Sequence, residues 1–240
     1  MEAMADGRWH GLGALAAATG LAKATAFNLV NALAQTGLAE HDAAQGAYRL
    51  GLRLLEYGHA VSRRMDLPER LRPVLMSLCA ESNETVNLAV PRALDVLIVE
   101  SLEGRQSVRV TAYAGTRAAY HCTALGRAML AYMPVAQRAA LLGRALPAAS
   151  ARTVTDAAAL GAVLDQVVRD GFAWEREENE LGACCVAAPV LGPRGSVLGA
   201  VSIAGPVGRM DAGVVDRLGR LLRQRLGRVS FPVETGLRRA

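Results

Sequence analysis

The sequence predicts an α+β protein with a small helical head and a larger domain built on one mixed, mainly antiparallel sheet. Two helical stretches near the start, Leu12–Thr19 and Ala22–Gln35, are separated by only two residues, which is the spacing of a helix-turn-helix. Beyond residue 66, strand-like runs alternate with helices, and some adjacent runs are joined by short turns. A chain of 240 residues has room for two unequal domains of this kind.

The head is predicted to be a winged helix-turn-helix. Gly20 suits the turn because glycine adopts positive φ at the end of a helix without steric cost. The buried stripe predicted for the second helix consists of Ala26, Leu29, Val30 and Leu33. Gly37 ends this helix, and Leu38–His41 and Ala47–Leu50 follow with turn-forming residues between them. This pattern predicts a hairpin that forms the wing.

A boundary between domains is predicted at Asp66-Leu67-Pro68, after apolar residues at helical spacing and before a proline suited to the first turn of a new helix. We therefore predict a head over 1–52, a linker helix over 53–65 and a large domain over 66–240. The predicted helices of the large domain are Leu67–Ser82, Ala124–Met133, Val135–Leu142, Asp156–Asp170 (capped by Thr155 and ended by Gly171) and Ala212–Leu226. Its predicted strands are Thr85–Val90, Val96–Ser101, Val108–Tyr113, Phe172–Glu175, Cys184–Leu191 and Val197–Ala204.

Composition and charge are those of an ordinary globular chain. Hydrophobic residues make up 52% and charged residues 20%, which excludes an intrinsically disordered protein. The net charge of +5 permits a polyanionic partner but is more often a matter of solubility. Four cysteines without a C-x-x-C pair indicate neither a zinc site nor a disulfide framework. With no leader and no run long enough to span a membrane, we expect a cytoplasmic protein without metal or cofactor.

The exposed face of the second predicted helix carries residue types that read duplex DNA. The candidate contacts are Lys23, Thr25, Phe27, Asn28 and Asn31. Lys23 suits a phosphate or the O6 and N7 of guanine, Asn28 suits the N6 and N7 of adenine, and Phe27 suits a thymine methyl. Thr25 suits a phosphate or a helix carbonyl. A solvated helix face would explain the asparagines equally well, and contact with a missing neighbour would explain Phe27.

Two segments of the larger domain carry candidate ligand chemistry. Thr123–Gly126 lies at a predicted helix start, where free backbone N–H groups favour an anion such as a carboxylate. Glu175–Leu191 joins an acidic loop to an apolar strand that contains Cys185, and a solvated loop with a core cysteine is the plain alternative. The irregular spacing and the lack of a nearby histidine disfavour a metal site. His121 and Cys122 are adjacent, and neighbours in sequence seldom face one another as base and nucleophile.

Taken together, these segments resemble the IclR family of transcriptional regulators along nearly the whole chain. The matching stretches are GLAKATAFNLVNALAQTGLAE (20–40), YRLGLRLLEYG (48–58), ETVNLAV (84–90), HCTALGRAMLA (121–131), ENELGACCVAAPV (178–190) and SIAGP (202–206). Each stretch alone is weak evidence for the family, but the order and spacing of all six are highly specific. The resemblance implies a winged head, a linker helix that supports dimerisation, and a GAF/PAS-like effector-binding domain.

The resemblance also implies partners and a binding site. Proteins of this kind bind palindromic operators in double-stranded DNA as homodimers or homotetramers and respond to small organic or aromatic acids. A carboxylate effector is expected to meet the backbone N–H groups of Ala124 and Leu125. Glu175, Cys185 and Ser202 are expected to supply polar contacts.

Two positions and the N-terminal segment depart from the family pattern. Ala204 stands where a second serine is frequent and Glu175 where an aspartate is frequent, so we expect a less polar or differently sized effector than a small keto acid. Members of the family also begin with a full helix, of which only Met1–Asp6 remains here. We expect either a start assigned too late or an incomplete head, and we favour the first.

The expected function is DNA-binding transcriptional regulation controlled by a metabolite, without an enzymatic step. Two alternatives stay open. One is a sensor fragment that oligomerises without holding DNA. The other is an enzyme that uses Cys122 or Cys185 as its nucleophile.

Overall fold

The computed structural model describes residues 1–231, so residues 232–240 of the predicted large domain lie outside the described part. The chain divides into two compact units, one spanning Met1–Asp66 and one that begins at Leu67. The predicted α+β class is confirmed. The finer division into head, linker and large domain stays a prediction.

The first unit is a helix-turn-helix flanked by a three-stranded sheet. Its elements include β1 (His10–Gly11), α1 (Leu12–Thr19), α2 (Lys23–Gln35), β2 (Ala39–Asp42) and β3 (Ala47–Leu50). The strands are antiparallel in the order β1-β3-β2, so the predicted hairpin forms the wing. The predicted winged helix-turn-helix is confirmed, and β1, which the sequence pattern did not indicate, joins it as a third strand.

A small apolar core holds the two helices against the wing. Its buried residues are Met4, Leu15, Val30, Ala39 and Tyr48. Met4 belongs to a single 3₁₀ turn, Glu2–Met4, and is only 2% exposed, so this turn contributes to the core of the unit. As predicted, Gly20 ends α1 in the left-handed region, at φ 67°.

The predicted buried stripe of α2 is only partly correct. Ala26 and Val30 are buried and Leu33 is half-buried, whereas Leu29 is 53% exposed. Successive residues of a helix are rotated by about 100°. Leu29 therefore lies at the edge of the stripe and leaves the core.

The helix α3 (Arg53–Ser62) completes the first unit. Arg53 Nη1 donates to the carbonyl of Thr36 at 2.7 Å and so satisfies the end of α2. No residue of α3 is buried, although the stretch is rich in apolar side chains. Leu52, Leu55 and Val61 are 77%, 74% and 61% exposed. The helix therefore presents an apolar surface.

The second unit is a six-stranded sheet with helices on both faces. Its elements are α4 (Asp66–Ser82), β4 (Thr85–Pro91), β5 (Val96–Leu102), β6 (Arg117–Ala118), α5 (Ala124–Leu130), α6 (Val135–Leu142), α7 (Ala157–Asp170), β7 (Ala173–Arg176), β8 (Ala183–Leu191), β9 (Val197–Pro206) and α8 (Ala212–Leu226). The strand order is β6-β5-β4-β9-β8-β7. Every strand pair within the described residues is antiparallel, so the predicted mixed sheet is wrong in that detail.

Alternate residues of the central strands face opposite sides of this sheet. In β9, Val201 and Ile203 belong to one apolar core, which the sheet shares with α4 and α8. Ser202 and Ala204 lie on the other side. That side packs against α5, α6 and α7 through a separate apolar core. We call this second side the α5 face.

Two local predictions are wrong. Val108–Tyr113 is not a strand, because its backbone carbonyls are satisfied by side chains: Thr85 Oγ1 donates to the carbonyl of Val110 at 2.5 Å, and Arg209 Nη2 donates to the carbonyl of Val108 at 2.8 Å. The cap of α7 is Asp156 and not Thr155. Asp156 Oδ1 accepts the N–H of Ala159 at 2.7 Å.

Gly126 and Gly161, each inside a helix, should respond in opposite ways to alanine. A Cβ at Gly126 would lie 2.4 Å from the Cα of Tyr120, so backbone would have to move, and Gly126→Ala should cost about 2–3 kcal/mol of unfolding free energy. A Cβ at Gly161 meets nothing within 4 Å, so Gly161→Ala should gain about 0.5–1 kcal/mol. Urea unfolding measures both changes. Equal effects would contradict the tight packing at Gly126.

Candidate functional site

The first helical turns of α2 present polar and aromatic side chains to solvent. Lys23, Thr25, Phe27 and Asn28 are all exposed, with Phe27 at 45%. Phe27 therefore does not belong to the apolar core of the head. Lys23 is also the single lysine of the chain, and it stands at the first position of the helix.

The fifth candidate on this helix, Asn31, is tied to the wing. Tyr48 Oη donates to Asn31 Oδ1 at 3.0 Å, and Asn31 is half-buried. The amide NH₂ group of Asn31 remains available to donate to a partner outside the head. The wing residue Arg49 is also engaged, because it pairs with Glu40 at 2.6 Å and lies over the ring of Trp9 at 4.5 Å.

Four residues in register across the sheet form one polar row on the α5 face. Glu175 on β7 pairs with Cys185 on β8, which pairs with Ala204 on β9 and then with Thr85 on β4. Directly opposite residues of antiparallel strands place their side chains on the same face, so Glu175 and Cys185 are neighbours. The predicted contacts Glu175 and Cys185 are thus brought together by strand pairing.

A second row lies two residues further along the strands. Ser202 on β9 pairs with Ala187 on β8 and with Asn87 on β4. Asn87 Nδ2 donates to Ser202 Oγ at 3.5 Å, and both residues are buried. Ser202 and Cys185 therefore share one face, separated by small alanines.

Burial determines the electrostatics of Glu175. Its side chain is 1% exposed, and burial raises the pKa of its carboxyl group above 4.5. Hydrogen bonds from the backbone N–H of Glu178, at 2.9 Å, and from the thiol of Cys185 oppose that shift. The carboxyl group is therefore held in place by donors but is costly to ionise.

The start of α5 meets the same region of the sheet. Thr123 caps this helix by accepting the N–H of Gly126 at 3.0 Å. Ala124 and Leu125 follow as its first two residues, whose N–H groups have no carbonyl of a preceding turn to bond. Both residues are buried in the core that packs on β7, β8 and β9. The structure thus places all five predicted effector contacts on the α5 face.

Two family profiles match the chain. One described as "Bacterial transcriptional regulator IclR C-terminal" matches residues 59–230, and one described as "IclR helix-turn-helix domain" matches residues 1–43. The chain belongs to the IclR family. It is therefore a transcriptional regulator with a DNA-binding helix-turn-helix.

Related proteins agree with this IclR assignment. The transcriptional regulator BhcR of Paracoccus denitrificans is 33% identical over 192 residues, covering 80% of this chain and 69% of BhcR. An IclR regulator from Alicyclobacillus acidocaldarius shares the fold, with a TM-score of 0.84 at 22% identity over 95% of this chain and 92% of its own. An IclR homologue from Microbacterium hydrocarbonoxydans, solved with 4-hydroxybenzoate, has a TM-score of 0.77 at 26% identity over 91% and 89% of the two chains.

Sequence reasoning missed the residue that anchors the acidic loop of this IclR protein. Arg127 on α5 is only 2% exposed and binds Glu178 with both guanidinium ends, one contact measuring 2.7 Å. Its Nε also donates to the carbonyl of His121 at 2.7 Å. The Glu178 end of the loop is thus tied down, whereas residues 179–182 at its tip are exposed, as the plain interpretation expects. The available signal was a single charged residue within an apolar helix.

The cysteines of the regulator have no activated partner in the part of the chain that is described. Burial raises the pKa of Cys122 to about 11 and raises that of Cys185 well above 9.0. The neighbouring His121 is directed elsewhere, with Nε2 lying 2.9 Å from the carbonyl of Pro147. Both thiols therefore stay protonated at neutral pH, which disfavours a nucleophilic role.

The described residues 1–231 contain neither a metal-binding cluster nor a membrane-spanning helix. No cluster of three His, Cys, Asp or Glu side chains is placed to hold a metal ion. No helix in this range is both long and apolar enough to cross a bilayer.

The raised pKa of Glu175 makes a prediction about stability and pH. The folded protein keeps this proton above pH 4.5, where the unfolded chain releases it, so Glu175 reduces stability as the pH rises. Glu175→Gln cannot ionise, and its stability relative to the unmodified protein should grow between pH 4.5 and pH 7, by about 1.4 kcal/mol per unit of pKa shift.

Urea unfolding at the two pH values tests this expectation. Glu180→Gln, an exposed change in the same loop, is the control and should alter stability by less than about 0.5 kcal/mol at either pH. A difference between Glu175→Gln and the unmodified protein that is independent of pH would contradict the argument.

Proposed function

We propose that this regulator holds a palindromic operator through α2 and that a small carboxylic acid bound on the α5 face controls that hold. The observation that carries the proposal is the polar group of Glu175, Cys185 and Ser202, assembled from three strands beside the start of α5, with Glu175 and Ser202 buried. Polar side chains buried on a largely apolar sheet face favour a ligand of matching polarity.

The operator side of the proposal rests on exposure. Lys23 contacts a phosphate or a guanine, Thr25 a phosphate, Phe27 a thymine methyl and Asn28 an adenine. Asn31 contributes through its amide NH₂, because its oxygen accepts the Tyr48 hydroxyl. Because its proposed partner is double-stranded DNA, the protein acts in the bacterial cytoplasm.

The effector side of the proposal rests on charge and shape. The acid group of the effector accepts the N–H groups of Ala124 and Leu125, where the helix dipole also favours negative charge. Ser202 supplies a hydroxyl donor, and Cys185 supplies a sulfur contact, because its thiol proton already goes to Glu175. Burial raises the pKa of Glu175, so its carboxyl group opposes a ligand acid group less than an exposed carboxylate would. The 4-hydroxybenzoate bound by the Microbacterium homologue supports an acid ligand.

We propose that the protein acts as a homodimer or homotetramer joined in part through α3. The high exposure of Leu52, Leu55 and Val61 supports this, because an apolar helix surface is more stable when a partner covers it. A two-fold axis would present two copies of α2 to the two halves of a palindrome. Acid binding would change the relation between the heads through α3 without any chemical step or cofactor.

DNA binding by Lys23 tests the operator side. Lys23→Ala should weaken binding to a labelled duplex from the intergenic region beside the gene by about tenfold, because one contact to a phosphate or base is lost. Fluorescence anisotropy measures the Kd, and Arg194→Ala, an exposed change of equal charge in the second unit, should alter it less than twofold.

The single lysine gives this experiment a second arm. An amine-selective acetylating reagent modifies only Lys23 and the terminal amine. Duplex DNA bound over Lys23 should therefore slow its acetylation. No salt-sensitive binding to any promoter-region duplex would overturn the operator proposal and leave a sensor that does not hold DNA.

A thermal-shift screen of organic and aromatic acids tests the effector side. An acid at 100 times its Kd should stabilise the folded protein by about 2.7 kcal/mol. Ser202→Ala and Cys185→Ala should each weaken binding by about tenfold. Cys79→Ala is the control, because Cys79 lies on α4 beside the opposite core. An acid whose shift survives both site changes binds elsewhere and would refute the assignment.

A further inference from the structure

We propose that Asn87 is an additional effector-binding residue whose Oδ1 accepts a hydrogen bond from the ligand, so that the effector is an acid bearing a hydroxyl or amino group. This inference rests on the proposed effector site and extends it by one strand, from β9 to β4. It also narrows the ligand class from carboxylic acids in general to hydroxy acids and amino acids.

The side-chain amide of Asn87 is buried, and only its NH₂ group makes a hydrogen bond. The residue is 3% exposed and lies on β4, near the middle of the sheet. Its Nδ2 donates to Ser202 Oγ at 3.5 Å, a long contact to a residue already assigned to the site. Its Oδ1 is buried and has no hydrogen-bond partner within residues 1–231. A buried carbonyl oxygen without a donor destabilises the folded protein unless something else supplies one.

A neighbouring residue shows the same feature. Ser101 on β5 pairs directly with Asn87, and its hydroxyl is also buried without a partner in the described chain. Opposite residues of an antiparallel pair share a face, so Ser101, Asn87 and Ser202 form a polar row across three strands. Two buried polar atoms on paired residues that both lack partners indicate a place for a polar group, because native interiors rarely leave such atoms unpaired.

The nearby Thr85 shows that the fold is able to satisfy polar side chains on this face. Thr85 lies two residues before Asn87 on the same strand, and its hydroxyl donates to the carbonyl of Val110 at 2.5 Å. The segment containing Val110 thus passes over the end of the α5 face. No comparable partner reaches Asn87 Oδ1 within residues 1–231.

The chemistry of the free atom defines the ligand group. A carbonyl oxygen accepts hydrogen bonds and does not donate them, so it selects a ligand hydroxyl or amine over a ligand carbonyl or methyl. A ligand hydroxyl would in addition be able to accept from Ser101 Oγ. With the acid group at the start of α5, the effector carries its donor on the side that faces β4.

Matched pairs of acids test the inference. The probes are lactate with propionate, mandelate with phenylacetate, and 4-hydroxybenzoate with benzoate, where only the first of each pair has the extra donor. Isothermal titration should show that at least one donor-bearing acid binds about tenfold more tightly than its partner. In Asn87→Leu, which keeps the approximate shape without the amide, the two members should bind within about twofold of each other.

The stability of the variants without ligand separates binding from structure. Asn87→Leu removes an unpaired buried atom, so its melting temperature should be equal to or higher than that of the unmodified protein, whereas a structural asparagine would lower it on removal. Ser82→Ala on α4 is the control, because its hydroxyl donates to the carbonyl of Leu78 at 2.7 Å, away from the α5 face. It removes a hydrogen bond that is made, so it should lower the melting temperature and keep the preference for the donor-bearing acid.

The outcomes distinguish this inference from the effector proposal. Acids that bind without preference for the donor, or a preference that survives in Asn87→Leu, would overturn the role of Asn87 and leave the effector site intact. A clear fall in the melting temperature of ligand-free Asn87→Leu would also overturn it. Failure of every acid to bind the unmodified protein would overturn the effector site and this inference with it.

Discussion

The register of β9 between β4 and β8 is the constraint on which the second unit depends. It places Val201 and Ile203 in the core beneath α4 and α8, and it places Ser202 on the α5 face beside Asn87. A slip by one residue would exchange the two faces, burying the serine among leucines and exposing the branched side chains to the site. Nine residues of β8 and ten of β9 make such a slip costly, because all of the affected side chains would have to move together.

Within this frame, polar groups on the α5 face divide into two kinds. Arg127 and Glu178 satisfy one another, and removal of either would leave a buried charge uncompensated. This pair holds the acidic loop, and the loop in turn supplies the N–H groups that bind Glu175. Asn87 and Ser101 are different, because Asn87 Oδ1 and Ser101 Oγ have no partner in the described chain. In the proposed effector site, the paired groups would form the wall and the unpaired atoms would face the ligand.

Much of the fold could be predicted because its signals are local. Helical spacing and capping residues gave α1 and α8 with correct bounds, and glycine at position 20 marked the turn between the first two helices. Val108–Tyr113 was mistaken for a strand because β-branched and aromatic residues predict a strand only when a neighbouring strand is free to pair. Here Arg209, about a hundred residues away in sequence, takes that place.

The candidate site was less accessible to sequence reasoning. Glu175, Cys185 and Ser202 were reached through the family resemblance, and their pairing across β7, β8 and β9 depends on register that no local pattern shows. Asn87 lies within an apolar run, ETVNLAV, where a single amide in a buried strand was the available signal. Arg127 was missed for the same reason, and the Tyr48 contact of Asn31 required the wing to be folded.

We propose that a ligand bound on the α5 face changes the affinity of α2 for DNA. Fluorescence anisotropy of a promoter-region duplex, titrated with the full chain with and without a saturating acid, measures this most directly. We expect the Kd for DNA to change by at least about fivefold and the affinity for the acid to change by the same factor. Both changes should be lost in Ser202→Ala. An acid that binds the α5 face and leaves the DNA affinity unchanged would contradict the proposal.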